Sequence, residues 1–420
     1  MRSTAPKPLS IPGFRNLWIG QTASQLGDAI YALVFVFMAS KVAGRADIVG
    51  IVAALTALPF LLFGPYAGVM ADRVDRRLLM LGADLASTAV LLTFAVYVWL
   101  SPVPSVIVIA ASGFVLSSIN VFFLPARSAA IPRLVPPETL NAALAFSNAT
   151  MSLIHSVGVA AGAIVLGPIE QANPAMFFVF AVLLNAATFV VSAFFVYKVP
   201  AVPPTTRETA ATARQDLVEG LRLVAGEPLL RIAFPVSLLL NLAVSGFFVV
   251  YIRTNEAWFD GSFATISWLE FGFLFSMVLG SLLAGNAKIR RPGVAFTTAM
   301  AIVGLAVAAM GFAQNFWVYF ALNVACGIAL PFGTLPMMTY IGTAIPDEYR
   351  GRVSSVSAML SAGVQPIGLA ATGAMIQTLG LVRLYFIMGG GMFGAAVIGL
   401  GNRGYRESET PQASNERSEE

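Results

Sequence analysis

The sequence predicts an all-α integral membrane protein, with about twelve transmembrane helices in two pseudo-symmetric six-helix bundles. Three observations carry this expectation. The 420 residues are 57% hydrophobic and only 11% charged, whereas soluble domains carry roughly 25% charged residues. Apolar stretches of about 20 residues recur along nearly the whole chain, and each rises about 30 Å as a helix, enough to cross the hydrocarbon core. The two halves also resemble one another at an offset of about 210 residues. The alternation of polar and apolar residues that a membrane β-barrel needs is absent from the sequence.

Residues 1–16, MRSTAPKPLSIPGFRN, are polar and are expected to form a cytoplasmic N-terminus. The first apolar run lacks a short core followed by a small-residue cleavage site, so it reads as a retained span rather than a signal peptide. Uninterrupted apolarity between charged or Pro/Gly-bearing breaks then places spans near 17–39, 48–70, 78–100, 104–124, 143–167 and 174–197. A second set falls near 229–252, 263–286, 293–313, 316–340, 353–377 and 381–400. Residues 17–197 thus make one bundle and 229–400 the other. Between them, residues 198–228 form a cytoplasmic linker, rich in Pro and Thr and then spaced like a short amphipathic helix. Residues 401–420 are a polar tail with the composition of a disordered segment.

Orientation follows from the basic residues, because cytoplasmic connections carry the excess of Lys and Arg. With both termini inside, all but Lys41, Arg45, Arg253 and Arg383 of the 25 Lys and Arg lie on the inner side. The expected location is the cytoplasmic (inner) membrane, spanned many times. The net charge of +4 is spread over short inner loops beside the bilayer, which suits contact with anionic membrane lipids and argues against nucleic acid as a partner. The one cysteine, Cys326, excludes a disulfide within the monomer and reads as a small buried hydrophobe. No cofactor or metal site is expected: one His and one Cys cannot assemble a zinc centre, and no phosphate-cradling GxxxxGK[ST] loop occurs. No interface for a second copy is visible, so a monomer is expected.

The repeat is seen in LPARSAAIPRLVPPETLNAA after the fourth span, which can be laid over LPMMTYIGTAIPDEYRGRVS after the tenth. Leu124 and Pro125 fall over Leu335 and Pro336, and Pro136 and Glu138 over Pro346 and Glu348. DRVDRR, residues 72–77, has a degenerate counterpart in NAKIRR, residues 286–291. Two such halves, related by an axis along the membrane normal, are the architecture that rocks around a central site in alternating access.

Ionisable residues within spans are costly and are functional candidates by default. Asp28 lies eleven positions into the first span, about 17 Å along a helix and so near mid-membrane. Gln21, Ser24, Gln25 and Asp28 share one helical face, which cannot be turned to lipid. Glu270 and Asp84 are shallower, and Asp84 is expected to pair with the nearby basic loop. His155, the one histidine, stands in a polar stripe with Asn148, Ser152 and Ser156 and could relay protons or simply pack.

GVMADRVDRRLLM resembles the signature loop between the second and third helices of the major facilitator superfamily: Gly68, Asp72, Arg73, Arg76 and Arg77 match it, while Asp75 stands where the pattern has Gly. FRNLWIGQTASQLGDAI, LPARSAAIPRLVPPETLNAALAFSN and IPDEYRGRVSSV are similar to a branch of proton-coupled exporters that includes enterobactin and macrolide efflux proteins. One departure is Val159 in GVAAG, residues 158–162, where antiporters of the superfamily often have Pro. The resemblance implies the major facilitator fold and a cytoplasmic gate at the signature loop, with Asp72 meeting the start of the eleventh helix near Val353. Arg76 lacks the acid that the family pattern would supply between Asn120 and Ala126. Asp28, Glu270 and His155 are the proton-coupling candidates among the span residues, and the resemblance implies that the Asp28 stripe lies on the transport path. Gln21, Gln25, Tyr31, Asn120, Asn241, Phe248 and Asn323 become candidates for the wall of a substrate cavity.

The function so implied is secondary active transport by alternating access, with proton-coupled export of a small amphiphilic molecule such as a macrolide-type drug or a siderophore. Uptake of a small metabolite or lipid is the alternative. A channel would show single-pore currents rather than saturable flux, and a membrane-embedded enzyme would gather its acids and bases on one face, where this sequence disperses them.

Overall fold

The computed structural model describes residues 6–101, 103–204, 222, 226, 230–287, 289–344 and 347–401. Among these residues every regular element is a helix, as hydrocarbon demands of a chain that must satisfy its backbone internally. The first six are α1 (Pro12–Ala43), α2 (Ala46–Arg73), α3 (Arg76–Leu100), α4 (Val106–Leu134), α5 (Pro137–Ala172) and α6 (Pro174–Tyr197). The seventh is broken at Gly246 into α7a (Leu230–Ser245) and α7b (Phe247–Trp258). Then come α8 (Phe263–Gly285), α9 (Pro292–Met310), α10 (Phe316–Ala344), α11 (Asp347–Leu379) and α12 (Leu381–Gly401). The expected linker helix falls outside the described residues apart from 222 and 226, and the tail falls outside them from 402 onward.

Local chemistry sets the helix ends. Proline occupies the first turn of α1, α5, α6 and α9, where its missing N–H is no loss. Asp75 caps α3 by accepting from the Arg77 amide at 2.9 Å, and Asn173 caps α6 through Met176 at 3.2 Å. Gly44, with φ 63°, ends α1 in the left-handed conformation.

Several helices overrun their expected spans. The fourth span, expected to close at 124, continues as α4 through Pro125 and Pro132 to Leu134, so LPARSAAIPRL is helix rather than loop. The eleventh begins at Asp347 rather than 353. Apolarity marks the part of a helix inside hydrocarbon, while backbone bonding carries the helix on into the interface. Among the described residues eleven helices are long and apolar enough to cross a membrane, and α11 is not among them. Its SAGVQPIGLAATGAMIQTL stretch is rich in Gly, Ala, Ser and Thr, residues that favour close packing against neighbouring helices.

The chain divides into two compact units, one of Met1–Glu208 with Ser262–Phe271 and the other of Thr209–Gly261 with Gly272–Glu420. The start of α8 therefore packs within the first unit. There the Glu170 carboxylate accepts from the Phe263 amide at 2.7 Å, and the Phe263 ring lies 5.6 Å from Phe37 and 5.1 Å from Phe177. A carboxylate is favoured at a helix N-terminus by the unpaired amides and the dipole.

The repeat reappears as packing. Within the first unit α1 packs on α5 and α6, and α3 on α4 and α6; within the second, six helices later, α7a packs on α11 and α12, and α9 on α10 and α12. Small residues set the closest approaches. A Cβ on Gly27 of α1 would overlap Thr188 Oγ1 and Asn185 Oδ1 of α6, and one on Gly158 of α5 would stand 2.9 Å from the Ala29 methyl. The small-xxx-small pair Gly158 and Gly162 thus seats α5 on α1 at Ala29 and Ile30.

Gly27→Ala is expected to destabilise the protein by about 1–3 kcal/mol through overpacking, read as a lowered melting temperature in detergent. Gly68→Ala meets nothing within 4 Å, and its melting temperature is expected to stay level or rise slightly.

Candidate functional site

The signature loop is built into its own unit. Asp75, besides capping α3, accepts from the Val202 amide at 3.3 Å, and the Arg76 amide donates to the Val202 carbonyl at 3.1 Å. The Arg76 side chain is 3% exposed; its Nη1 donates to the Pro203 carbonyl at 2.7 Å and its Nη2 stands 3.7 Å from Asp72. Arg77 donates to the Tyr197 carbonyl and lies over the Tyr197 ring, 5.0 Å from its centroid. Arg76 therefore finds a backbone acceptor after α6 as well as Asp72 one turn before it. Asp72 is half-exposed and Arg73 exposed, and Gly68 presents open space one turn earlier. The side chains at the start of α11, including Val353, lie outside the described ones.

On α1 the polar face turns partly to α6. Asp28 accepts from Asn185 Nδ2 at 3.3 Å, and Thr188 Oγ1 donates back to the Asn185 carbonyl at 2.8 Å. Gln21 and Ser24 are buried, Ser24 Oγ donating to the Gln21 carbonyl at 3.2 Å, while Gln25 is half-buried. Tyr31 is buried one turn beyond Asp28, its ring 5.9 Å from Phe35. Phe35 fills the space beside Gly113 of α4.

The remaining candidates are scattered. Glu270 is half-buried near the start of α8, and His155 is exposed on α5; no hydrogen bond among the described residues joins either to Asp28. Asn120 is half-buried on α4. In the second unit Asn241 is exposed, with its amide donating to the Ser237 carbonyl at 2.8 Å, and Phe248 is half-buried. Asn323 is fully buried and accepts from the Tyr251 hydroxyl. It belongs to an internal cluster in which Tyr319 and Tyr385 hydroxyls meet at 2.7 Å and Thr254 meets Tyr385 at 2.8 Å. Cys326 is buried as expected, with its sulfur 4.0 Å from the Val303 carbonyl.

One buried ionisable group escaped the sequence reading, and another was expected with the wrong partner. Arg127, placed by expectation in a loop, is 6% exposed within α4; it donates to Ser147 Oγ at 2.8 Å and approaches Met151 Sδ at 3.5 Å, both on α5. The helical spacing of Ala126, Ala130, Ile131 and Leu134 was the signal that α4 continues past Pro125. Asp84 does not pair with the basic loop. It is 1% exposed and accepts from Ser192 Oγ of α6 at 2.7 Å, because α3 packs against α6 and its buried face turns inward, away from the loop at its end.

Two six-helix repeats with spans of membrane length make a multi-pass membrane protein, and its family makes it a transporter of small molecules rather than an enzyme. The chain belongs to the Major Facilitator Superfamily, whose family model matches residues 17–259 and 258–420. It is 25% identical over 383 residues to macrolide efflux protein A of Streptococcus pyogenes, covering 90% of this chain and 92% of that one. It is 26% identical over 353 residues to the putative bacilysin exporter BacE of Bacillus subtilis, covering 82% and 84%. Among solved structures it resembles a bacterial homologue of the iron transporter ferroportin in an inward-facing state, with TM-score 0.74 at 15% identity over 96% of this chain and 100% of that one. It also resembles the D-xylose–proton symporter, with TM-score 0.69 at 14% identity over 93% and 96%.

Arg76→Ala is expected to cost about 1.5–3 kcal/mol, the worth of a hydrogen bond from a charged donor, and to lower the melting temperature. Arg73→Ala, at an exposed position, is expected to stay within about 0.5 kcal/mol of the parent.

Proposed function

We propose that the protein is a secondary active exporter of small amphiphilic molecules, working by alternating access in the cytoplasmic membrane with both termini inside, and driven by the proton gradient. The observation that carries the coupling is Asp28. Among the described residues its carboxylate is met by the neutral Asn185 amide and by no cation. Such a group at membrane depth is stable when it holds a proton or a cationic substrate, which is the exchange an antiporter performs. Glu270 and His155 are the further coupling candidates. The names of the macrolide efflux and putative bacilysin exporter relatives support the outward direction and the substrate class.

Gln21, Gln25, Tyr31, Asn120, Asn241, Phe248 and Asn323 are proposed to contribute to substrate recognition. Gly68, Asp72, Arg73, Arg76 and Arg77 are proposed as the cytoplasmic gate. Within that gate Asp72 is the movable member, since it is half-exposed while Arg76 is held by the Pro203 carbonyl.

Everted vesicles with an imposed proton gradient and a panel of macrolides, peptides and siderophores test the reading. Gradient-driven accumulation of at least one amphiphile is expected, falling in Asp28→Asn to the level of vesicles without the protein. Unchanged coupled transport in that variant would remove Asp28 as the coupling site, and accumulation only in right-side-out vesicles would make the protein an importer. Asp72→Ala is expected to fold and reach the membrane but to transport poorly, with altered labelling of cysteines placed in the cytoplasmic loops; normal flux would count against the gate.

A further inference from the structure

The proposed coupling through Asp28 leaves a second buried carboxylate unused. One oxygen of Asp84 accepts from Ser192 at 2.7 Å, and the other has no partner. Ser87 follows Asp84 by three residues, so both lie on one face of α3; it is 0% exposed and its hydroxyl is also unpartnered.

These groups share a level in the unit. A Cβ on Gly20 of α1 would stand 3.0 Å from the Ser192 carbonyl, so α1 closes on α6 at the residue that reaches Asp84. One step outward, Gly27 abuts Asn185 and Thr188 beside Asp28. Asn185, Thr188 and Ser192 thus form one polar edge of α6, with a carboxylate at each end. Unsatisfied buried polar atoms are rare, and two together point to a bound group.

The charge of that group follows from its surroundings. Helix α6 carries no charged residue. On α3, Arg76 is engaged by the Pro203 carbonyl and Asp72; on α4, Arg127 turns to Ser147 and Met151 of α5. On α1, Asp28 interacts electrostatically with Asp84, and Tyr31 with Asp28, so the ionisable neighbours supply no positive charge. The available ligands are one carboxylate and two hydroxyls, all hard oxygen atoms. A single carboxylate balances one positive charge, and the absence of thiolate or imidazole from this set disfavours softer metals.

We propose that Asp84, Ser87 and Ser192 form a site for one monovalent hard cation, a proton or Na⁺, inside the first unit and distinct from Asp28. The site does not depend on the direction of transport or on the substrate.

Infrared difference spectroscopy of the purified full chain in lipid nanodiscs tests it. Carboxyl bands are followed through a pH titration in sodium-free choline buffer and through a NaCl titration at fixed pH, for the parent, Asp84→Asn, Asp28→Asn and Ser192→Ala. A band that titrates with pH, ignores Na⁺ and vanishes in Asp84→Asn while persisting in Asp28→Asn identifies a proton site. A carboxylate band displaced by Na⁺ in the parent but not in Asp84→Asn identifies a Na⁺ site. Ser192→Ala, which keeps the carboxylate and guards against misfolding of the Asn variant, is expected to weaken the Na⁺ half-saturation or shift the proton midpoint by about tenfold, the worth of one charge-assisted hydrogen bond. Asp84 bands that respond to neither titration in the folded protein would overturn the site, whereas loss of export in Asp28→Asn with these bands intact would leave it standing.

Discussion

A carboxylate held at membrane depth has to be satisfied by neutral groups or by something it binds, and the first unit is arranged around two of them. Helix α6 supplies the neutral groups: Asn185 reaches Asp28, and Ser192 reaches Asp84. This works only if α1 and α3 lie close to α6, which explains Gly20 and Gly27 on α1 where any side chain would strike Ser192, Asn185 or Thr188. The approach is passed on, since α5 meets the other side of α1 through Gly158 and Gly162. The placement of small residues on two helices thus follows from the polar demands of a third.

The same economy separates the roles of the charges in DRVDRR. Asp75, Arg76 and Arg77 spend their hydrogen bonds on the backbone at Val202, Pro203 and Tyr197. Asp72 and Arg73 remain toward solvent. A run that looks uniform in sequence therefore divides into residues that hold the loop and residues free to meet something else. The second unit uses a different means of internal cohesion. It is knit by the hydroxyls of Tyr251, Tyr319 and Tyr385 with Asn323 and Thr254, groups that satisfy one another without formal charge.

The fold was legible in the sequence because hydrocarbon imposes a strong local rule: a span must be apolar for about 20 residues, and each break shows. The repeat was legible for the same reason, and it returned as matching helix neighbours six helices apart. Helix ends were less legible, since α4 runs ten residues past its expected close at 124 with two prolines inside it. The polar partners were the least legible. Asp84 and Ser192 are 108 residues apart and Asp28 and Asn185 157 apart, and no local pattern links such pairs. Sequence spacing grouped Gln21, Ser24, Gln25 and Asp28 as one stripe of α1, but gave no hint that α6 would meet Asp28 with an amide.

The knot between the signature loop and the chain after α6 has a mechanical consequence. Because Asp75 and Arg76 fasten Val202 and Pro203, the connection to the second half of the chain starts at residue 204 rather than at the end of α6. Six residues after α6 are taken up by the knot, so the loop that carries the superfamily's signature also sets the point at which the chain leaves the first six helices.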